Sequence, residues 1–155
     1  MFDEKYLQRF LEEKGVKAKI MYVGEAATSK EASRTAGVSI DEIAKTVVFT
    51  SDTGDIVAVV LRADRRVHQK RLSKLLGYKK LRLATEEEVV KATGYPPGAV
   101  PPVAHRKKIP VYVDRELLEL DIVYAGGGST EHLLVISPQD IVKLSEAVII
   151  DVPKK

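Results

Sequence analysis

Residues 45–61 read Lys45-Thr46-Val47-Val48-Phe49-Thr50-Ser51-Asp52-Thr53-Gly54-Asp55-Ile56-Val57-Ala58-Val59-Val60-Leu61. Two runs rich in β-branched residues, Lys45–Thr50 and Ile56–Leu61, flank Asp52-Thr53-Gly54-Asp55, whose glycine and short polar side chains favour a tight turn. This is a hairpin, and a hairpin at the centre of a chain argues against a regular strand–helix–strand repeat. Further strands are expected at Lys17–Val23, Leu81–Ala84, Ile109–Val113, Ile122–Tyr124, Leu133–Ile136 and Ala147–Val152. Helix starts are marked by Thr28 with Glu31, Ser39 with Glu42, Thr85 with Glu88, and Ser137 with Asp140 behind Pro138. An amphipathic helix is predicted over residues 3–14, with Asp3 as cap and Gly15 as stop, and another from His68 to Leu76, stopped by Gly77. The pattern predicts an α+β fold: a mixed, curved or barrel-like sheet of about seven strands with surrounding helices, forming one domain over residues 1–155.

Composition narrows the chemistry. The chain has 155 residues, 45% of them hydrophobic, enough for a core of its own. No apolar run approaches the ~18 residues that span a bilayer, and Met1-Phe2-Asp3-Glu4-Lys5 is no signal peptide, so the cytoplasm is the default compartment and no membrane partner is expected. The absence of cysteine removes thiolate nucleophiles, iron–sulfur clusters and zinc–thiolate sites together. His68, His105 and His132 are far apart in sequence, so no metal and no cofactor are expected.

The net charge of +3 is unevenly spread. Between Arg62 and Arg82 there are nine basic residues (Arg62, Arg65, Arg66, Lys70, Arg71, Lys74, Lys79, Lys80 and Arg82) against one acid, Asp64. Arg106-Lys107-Lys108 form a second cluster. Such concentrations suit a polyanion, and Arg62, Arg65, Arg66, Lys70, Arg71, Lys74, Arg106, Lys107 and Lys108 are the candidate nucleic-acid contacts.

Three features stand out as candidate chemistry. Thr93-Gly94-Tyr95-Pro96-Pro97-Gly98-Ala99-Val100-Pro101-Pro102 holds four of the seven prolines, which makes a stiff loop that can enter neither helix nor central strand, with Gly98 free to turn or to approach a ligand. Lys45 begins a near-continuous apolar strand and shares a face with Val47 and Phe49; a lysine so placed needs a partner, or it snorkels to water. Gly126-Gly127-Gly128-Ser129 presents unobstructed N–H groups to an anion, or is simply a flexible turn. Ser129 has no base nearby in sequence, and His132 reads as a surface residue.

In order along the chain, Ile43–Phe49, Leu81–Ala84, Thr93–Pro102, Val111–Leu118 and the Gly126–Ser129 turn resemble the YbaK / prolyl-tRNA-synthetase-associated editing domain family over roughly residues 25–152. The resemblance implies a barrel-like α+β fold and hydrolysis of the ester of mischarged aminoacyl-tRNA, the tRNA for proline carrying alanine or cysteine. It implies tRNA as partner, with prolyl-tRNA synthetase a further one, and neither metal nor protein nucleophile. Carried over, Lys45, Gly98, Gly127 and Gly128 take catalytic roles, while Thr46, Ala99, Val100, Pro101, Pro102, Gly126 and Ser129 bind substrate. Thr46 stands where the alanine-editing branch often has asparagine, and the His-Pro-Leu run of that branch is absent; both tilt the expectation toward cysteine editing or an uncharacterised branch. Val103-Ala104-His105 replaces an aromatic–glycine pair at the expected pocket edge. A non-catalytic tRNA- or synthetase-binding module, and a small-molecule ester or amide hydrolase, are the alternatives.

Overall fold

A computed structural model describes residues 1–26 and 28–155. The chain opens with α1 (Glu4–Lys14), whose N-terminus is capped by the Asp3 carboxylate accepting Lys5 and Tyr6 N–H, and whose Leu7 and Leu11 are buried. There follow β1 (Lys19–Tyr22), α2 (Ser29–Ala36), β2 (Ala44–Ser51), β3 (Ile56–Arg62), α3 (Gln69–Leu76), β4 (Leu81–Leu83), α4 (Glu86–Thr93), β5 (Val111–Asp114), β6 (Val123–Gly126), β7 (His132–Ile136), α5 (Pro138–Ser145) and β8 (Val148–Ile150). Thr28, Thr85 and Ser137 cap α2, α4 and α5 through their hydroxyls, as the spacing predicts. Ser39 and Glu42 do form a capping box, but it opens only a single 3-10 turn, Ile40–Glu42, because strand β2 begins two residues later. The strand expected from Ile109 starts instead at Val111, after Pro110, which has no N–H for a ladder.

The α+β class holds, with eight strands divided between two sheets, neither of them closed. β1, β7 and β6 form an antiparallel sheet in the order β1-β7-β6. The other sheet has the order β4-β2-β3-β5-β8; the β2–β3 hairpin and β4 are antiparallel, whereas β5 and β8 join in parallel. An isolated parallel bridge between Ile43 and Tyr124 is the seam between the sheets.

Alternation along the hairpin builds two cores, one per face. Ala44, Ala58 and Val60 look toward Leu7, Leu11, Val123, Leu134 and Ile141, while Phe49, Val57, Val59 and Leu61 pack under Leu72 of α3. A strand buried on both faces reads as a continuous apolar run, which is why β3 is Ile-Val-Ala-Val-Val-Leu. Lys45 is paired with Leu61 and shares the face of Val47 and Phe49, the α3 side.

Candidate active site

A cavity of about 120 Å³ opens at the seam of the two sheets. Ile43, Ala44, Lys45 and Thr46 of the β2 start, Ala125 and Gly126 of β6, and His132 and Leu133 of β7 line it; α2 closes it with Thr28, Ser29 and Ala32, and the proline loop adds Gly98 and Val100. An apolar cavity of about 150 Å³ takes up benzene, so this one is of the size of a small organic group.

The proline loop is stiff for identifiable reasons. Ala99 N–H donates to Pro96 O at 3.1 Å, closing a turn with Pro97 second and Gly98 third. Gly98 has φ 83, the left-handed value that a type II turn demands at that position. It is exposed and faces the cavity mouth. At the loop's two ends, Tyr95 is fully buried and its hydroxyl donates to Ala104 O at 3.0 Å, while His105 Nε2 lies 2.6 Å from Pro101 O. Burial holds the His105 imidazole below its ordinary pKa, so at neutral pH it is an uncharged ring whose Nε2–H serves Pro101.

The glycine triplet is a packing junction. A Cβ on Gly126 would lie 2.2 Å from Val100 O, one on Gly127 2.5 Å from His132 C, and one on Gly128 2.8 Å from Asp3 C and Glu4 N. Three consecutive glycines thus let β6 touch the proline loop, the start of β7 and the start of α1. Gly128 donates its N–H to Ala99 O at 3.0 Å, which stitches the turn to the loop and leaves that N–H none to give an oxyanion.

The residues singled out from sequence therefore divide. Lys45, Thr46, Gly98, Val100 and Gly126 meet around the cavity. Ala99, Pro101 and Pro102 are buried behind its wall, and Gly127, Gly128 and Ser129 do not line it. Val103-Ala104-His105, expected at the pocket edge, also lies elsewhere: Val103 is a core residue beside Leu7 and Val113. His132, expected at the surface, is half-buried and on the cavity wall. Its Nδ1 is 2.6 Å from Ser129 Oγ, which also accepts Glu131 N–H, and the Tyr22 ring meets it edge-on at 5.5 Å. The spacing Ser129-x-x-His132 was the available signal, since a tight turn into a strand returns the two side chains to each other.

Two features of the wall are electrostatically unusual. Burial, and next the nearby Arg66, push the Lys45 ammonium below its ordinary pKa, with Asp64 opposing. Among the described residues Lys45 has no carboxylate within ion-pair distance. Thr46 Oγ1 is buried without a hydrogen-bond partner among the described residues, a cost of about 1–3 kcal/mol. Among the described residues no three His, Cys, Asp or Glu side chains gather to hold a metal, and no helix is long and apolar enough to cross a membrane.

The site is thus a small cavity at the seam of two sheets, with a stiff proline–glycine wall and a lysine that has no carboxylate partner among the described residues. The chain belongs to the aminoacyl-tRNA editing domain family, whose model matches residues 23–144. It superposes on the hypothetical protein APE2540 with a TM-score of 0.89 at 36% identity, covering 97% of this chain and 99% of that one. A protein provisionally described as a trans-editing enzyme for prolyl tRNA synthetase superposes with a TM-score of 0.89 at 30% identity, over 98% and 97% of the two chains. The proline--tRNA ligase of Solidesulfovibrio magneticus is 41% identical over 99 residues, 63% of this chain but only 17% of the ligase. The uncharacterized protein YwhH of Bacillus subtilis is 29% identical over 77% of this chain and 76% of its own length.

Proposed function

We propose that the chain is a trans-editing aminoacyl-tRNA deacylase that hydrolyses the ester of a mischarged tRNA, the tRNA for proline carrying cysteine or alanine. The observation that carries this is the cavity itself: about 120 Å³, bordered by Lys45, Thr46 and Gly98. The kinship with proline--tRNA ligases and with a trans-editing protein supports tRNA for proline as the substrate and prolyl-tRNA synthetase as a partner.

Lys45 binds a phosphate at the acceptor end, where its ammonium gains the anionic partner that the fold leaves out. Thr46 Oγ1 hydrogen-bonds the aminoacyl group. Water attacks the ester carbonyl, assisted by the terminal ribose hydroxyl, and the carbonyl oxygen takes its developing charge toward the backbone at the exposed Gly98 turn. One well-aimed oxyanion donor contributes about 3 kcal/mol in comparable chemistry. His132, held by Ser129, borders the aminoacyl group and with Leu133 limits its size. A single methylene changes binding by only about 1–3 kcal/mol, which is why small amino acids need a second, size-excluding site.

The test is hydrolysis of purified alanyl-, cysteinyl-, seryl- and prolyl-tRNA. Turnover on a small mischarged residue, with prolyl-tRNA spared and Lys45→Ala reduced at least a hundredfold, is expected. No turnover on any of them, or full activity in Lys45→Ala, would overturn the reading. The non-catalytic module rests on one observation, the Gly128 N–H already spent on Ala99, and predicts binding of uncharged tRNA with no ester cleavage.

A further inference from the structure

The basic segment Arg62–Arg82 does not act as one block. Arg62 is paired with Asp64 at 2.6 Å, Arg65 with Glu116 at 2.9 Å, and Arg82 with Glu88 at 2.7 Å. These arginines spend their charge inside the fold: Arg65 and Glu116 join the end of β3 to the turn after β5 by two parallel hydrogen bonds. In the second cluster, Arg106 lies over the Phe2 ring at 5.1 Å and Lys108 pairs with Glu146 at 3.0 Å.

The lysines behave differently. Lys70, Lys74, Lys79 and Lys80 are all exposed and, among the described residues, none is in an ion pair. They surround one cleft of about 640 Å³ between α3 and β4, with the single carboxylate of Asp52 at its rim. The cleft is preformed. Lys70 and Lys74 stand one helical turn apart on α3, and Gly77, left-handed at φ 81, ends the helix and brings Lys79 and Lys80 back beside it. Ser73, buried in the cleft wall, accepts Leu81 N–H at 3.0 Å, and Asp52 N–H donates to Lys80 O at 3.2 Å, fixing β4 against α3 and the hairpin turn. Four ammonium groups border this one cleft without an ion-pair partner among the described residues, and an anionic partner would supply one.

This cleft and the editing cavity lie at opposite ends of β2. Lys45 lines the cavity, and Ser51, paired with Leu81, lies at the cleft end. Six residues of strand separate them, about 20 Å at roughly 3.3 Å per residue. A nucleic acid strand stacked at about 3.4 Å per nucleotide covers that distance in about six nucleotides, and an extended one in fewer. Lys45 and α3 are on the same face of the hairpin, so no strand edge has to be crossed.

We propose that the α3–β4 lysine cleft docks the sugar–phosphate backbone of the RNA whose 3′ end occupies the cavity, gripping phosphates some four to six nucleotides behind that end. This rests on the deacylase reading for the placement of the 3′ end. The grip is by charge, without base recognition, and Arg62 and Arg65 take no part in it.

The experiment measures binding of an uncharged RNA hairpin with a single-stranded 3′ end across a salt series, and turnover separately. In Lys70→Gln/Lys74→Gln/Lys79→Gln/Lys80→Gln, affinity at low salt should fall at least tenfold, and the slope of log K against log salt should flatten by about 3. Should that variant lose its fold by circular dichroism, the two pairwise variants replace it, each expected to flatten the slope by about 1.5. Arg62→Gln/Arg65→Gln should keep the wild-type slope while melting lower. Because the chain contains no cysteine, Lys79→Cys carrying a photo-crosslinker marks a single point, expected to label nucleotides four to six from the 3′ end. An unchanged slope in the lysine variants, crosslinks confined to other nucleotides, or no RNA binding by the wild-type protein would overturn the proposal. Lysine-dependent binding without turnover on any charged tRNA upholds the docking surface and overturns the deacylase reading instead.

Discussion

Among the glycines, Gly126 has the least room for a side chain. Its φ is ordinary, so the constraint is steric: any Cβ there strikes the Val100 carbonyl. Gly126→Ala must push the proline loop away from β6, at a cost of about 1–3 kcal/mol as in other overpacked sites, and the cavity wall moves with it. A lowered Tm accompanied by loss of deacylation is expected. Glu88 makes a second residue-level prediction. Chiefly the Arg82 guanidinium, and then Thr85 N–H, hold its carboxyl down to about 2 from an ordinary 4.5. A depressed carboxyl stabilises the fold above its unfolded pKa and loses that contribution as pH falls through the folded one. The Tm gap between wild type and Glu88→Gln should therefore be constant above about pH 5, narrow below the ordinary 4.5, and close near pH 2. Sequence showed that Lys45 and Gly98 were unusual, because a lysine in an apolar run and a glycine among prolines are visible locally. It hid His132 and misjudged Val103–His105, since which side of a loop faces a cavity depends on what packs behind it.

Among elements, α1 does more than cover the core. Phe2 N–H donates to Gly94 O at 2.7 Å, and its ring stacks on Tyr6 at 3.7 Å and meets Tyr95 edge-on at 5.6 Å. With Asp3 and Glu4 against Gly128, the segment before α1 braces both the proline loop and the glycine turn. Phe2→Ala should cost about 1–3 kcal/mol and raise hydrogen exchange at Gly94, Tyr95 and Gly98–Val100 more than in α5. Helices were legible to within a residue or two wherever a side-chain cap met a left-handed glycine, as at Asp3 with Gly15 or His68 with Gly77. The Ser39 box was misleading because a cap fixes where a helix may begin, and the β-branched run after Ile43 decides how soon it ends.

The whole molecule is tied together by its last residues. Asp114, 1% exposed, accepts Val152 N–H at 3.0 Å on Oδ1; Oδ2 makes no directed hydrogen bond, but the Lys154 ammonium lies 2.8 Å from it. His68 N–H donates to Pro153 O and Lys155 N–H to Arg66 O, so the terminal segment clamps the start of α3 onto the sheet. Asp114→Ala leaves a buried N–H and a half-buried ammonium unpaired. The expected loss is about 3 kcal/mol. For a chain of this size that is a drop of roughly 6–12 °C in Tm, with Asp114→Asn losing less. The hairpin made the α+β class legible, but the division into two sheets was not, because it depends on β6 meeting the β2 start at a single bridge.

The brace at Phe2 also bears on modularity. The family model matches residues 23–144, so the Phe2 ring over Gly94 and the Asp3–Glu4 backbone over Gly128 come from outside the matched region. A fragment of residues 23–144 lacks that aromatic plug, and its Tm is expected to fall below that of the full chain. Transplanting the matched region alone would deliver the cavity's lining without the part that keeps its walls in place.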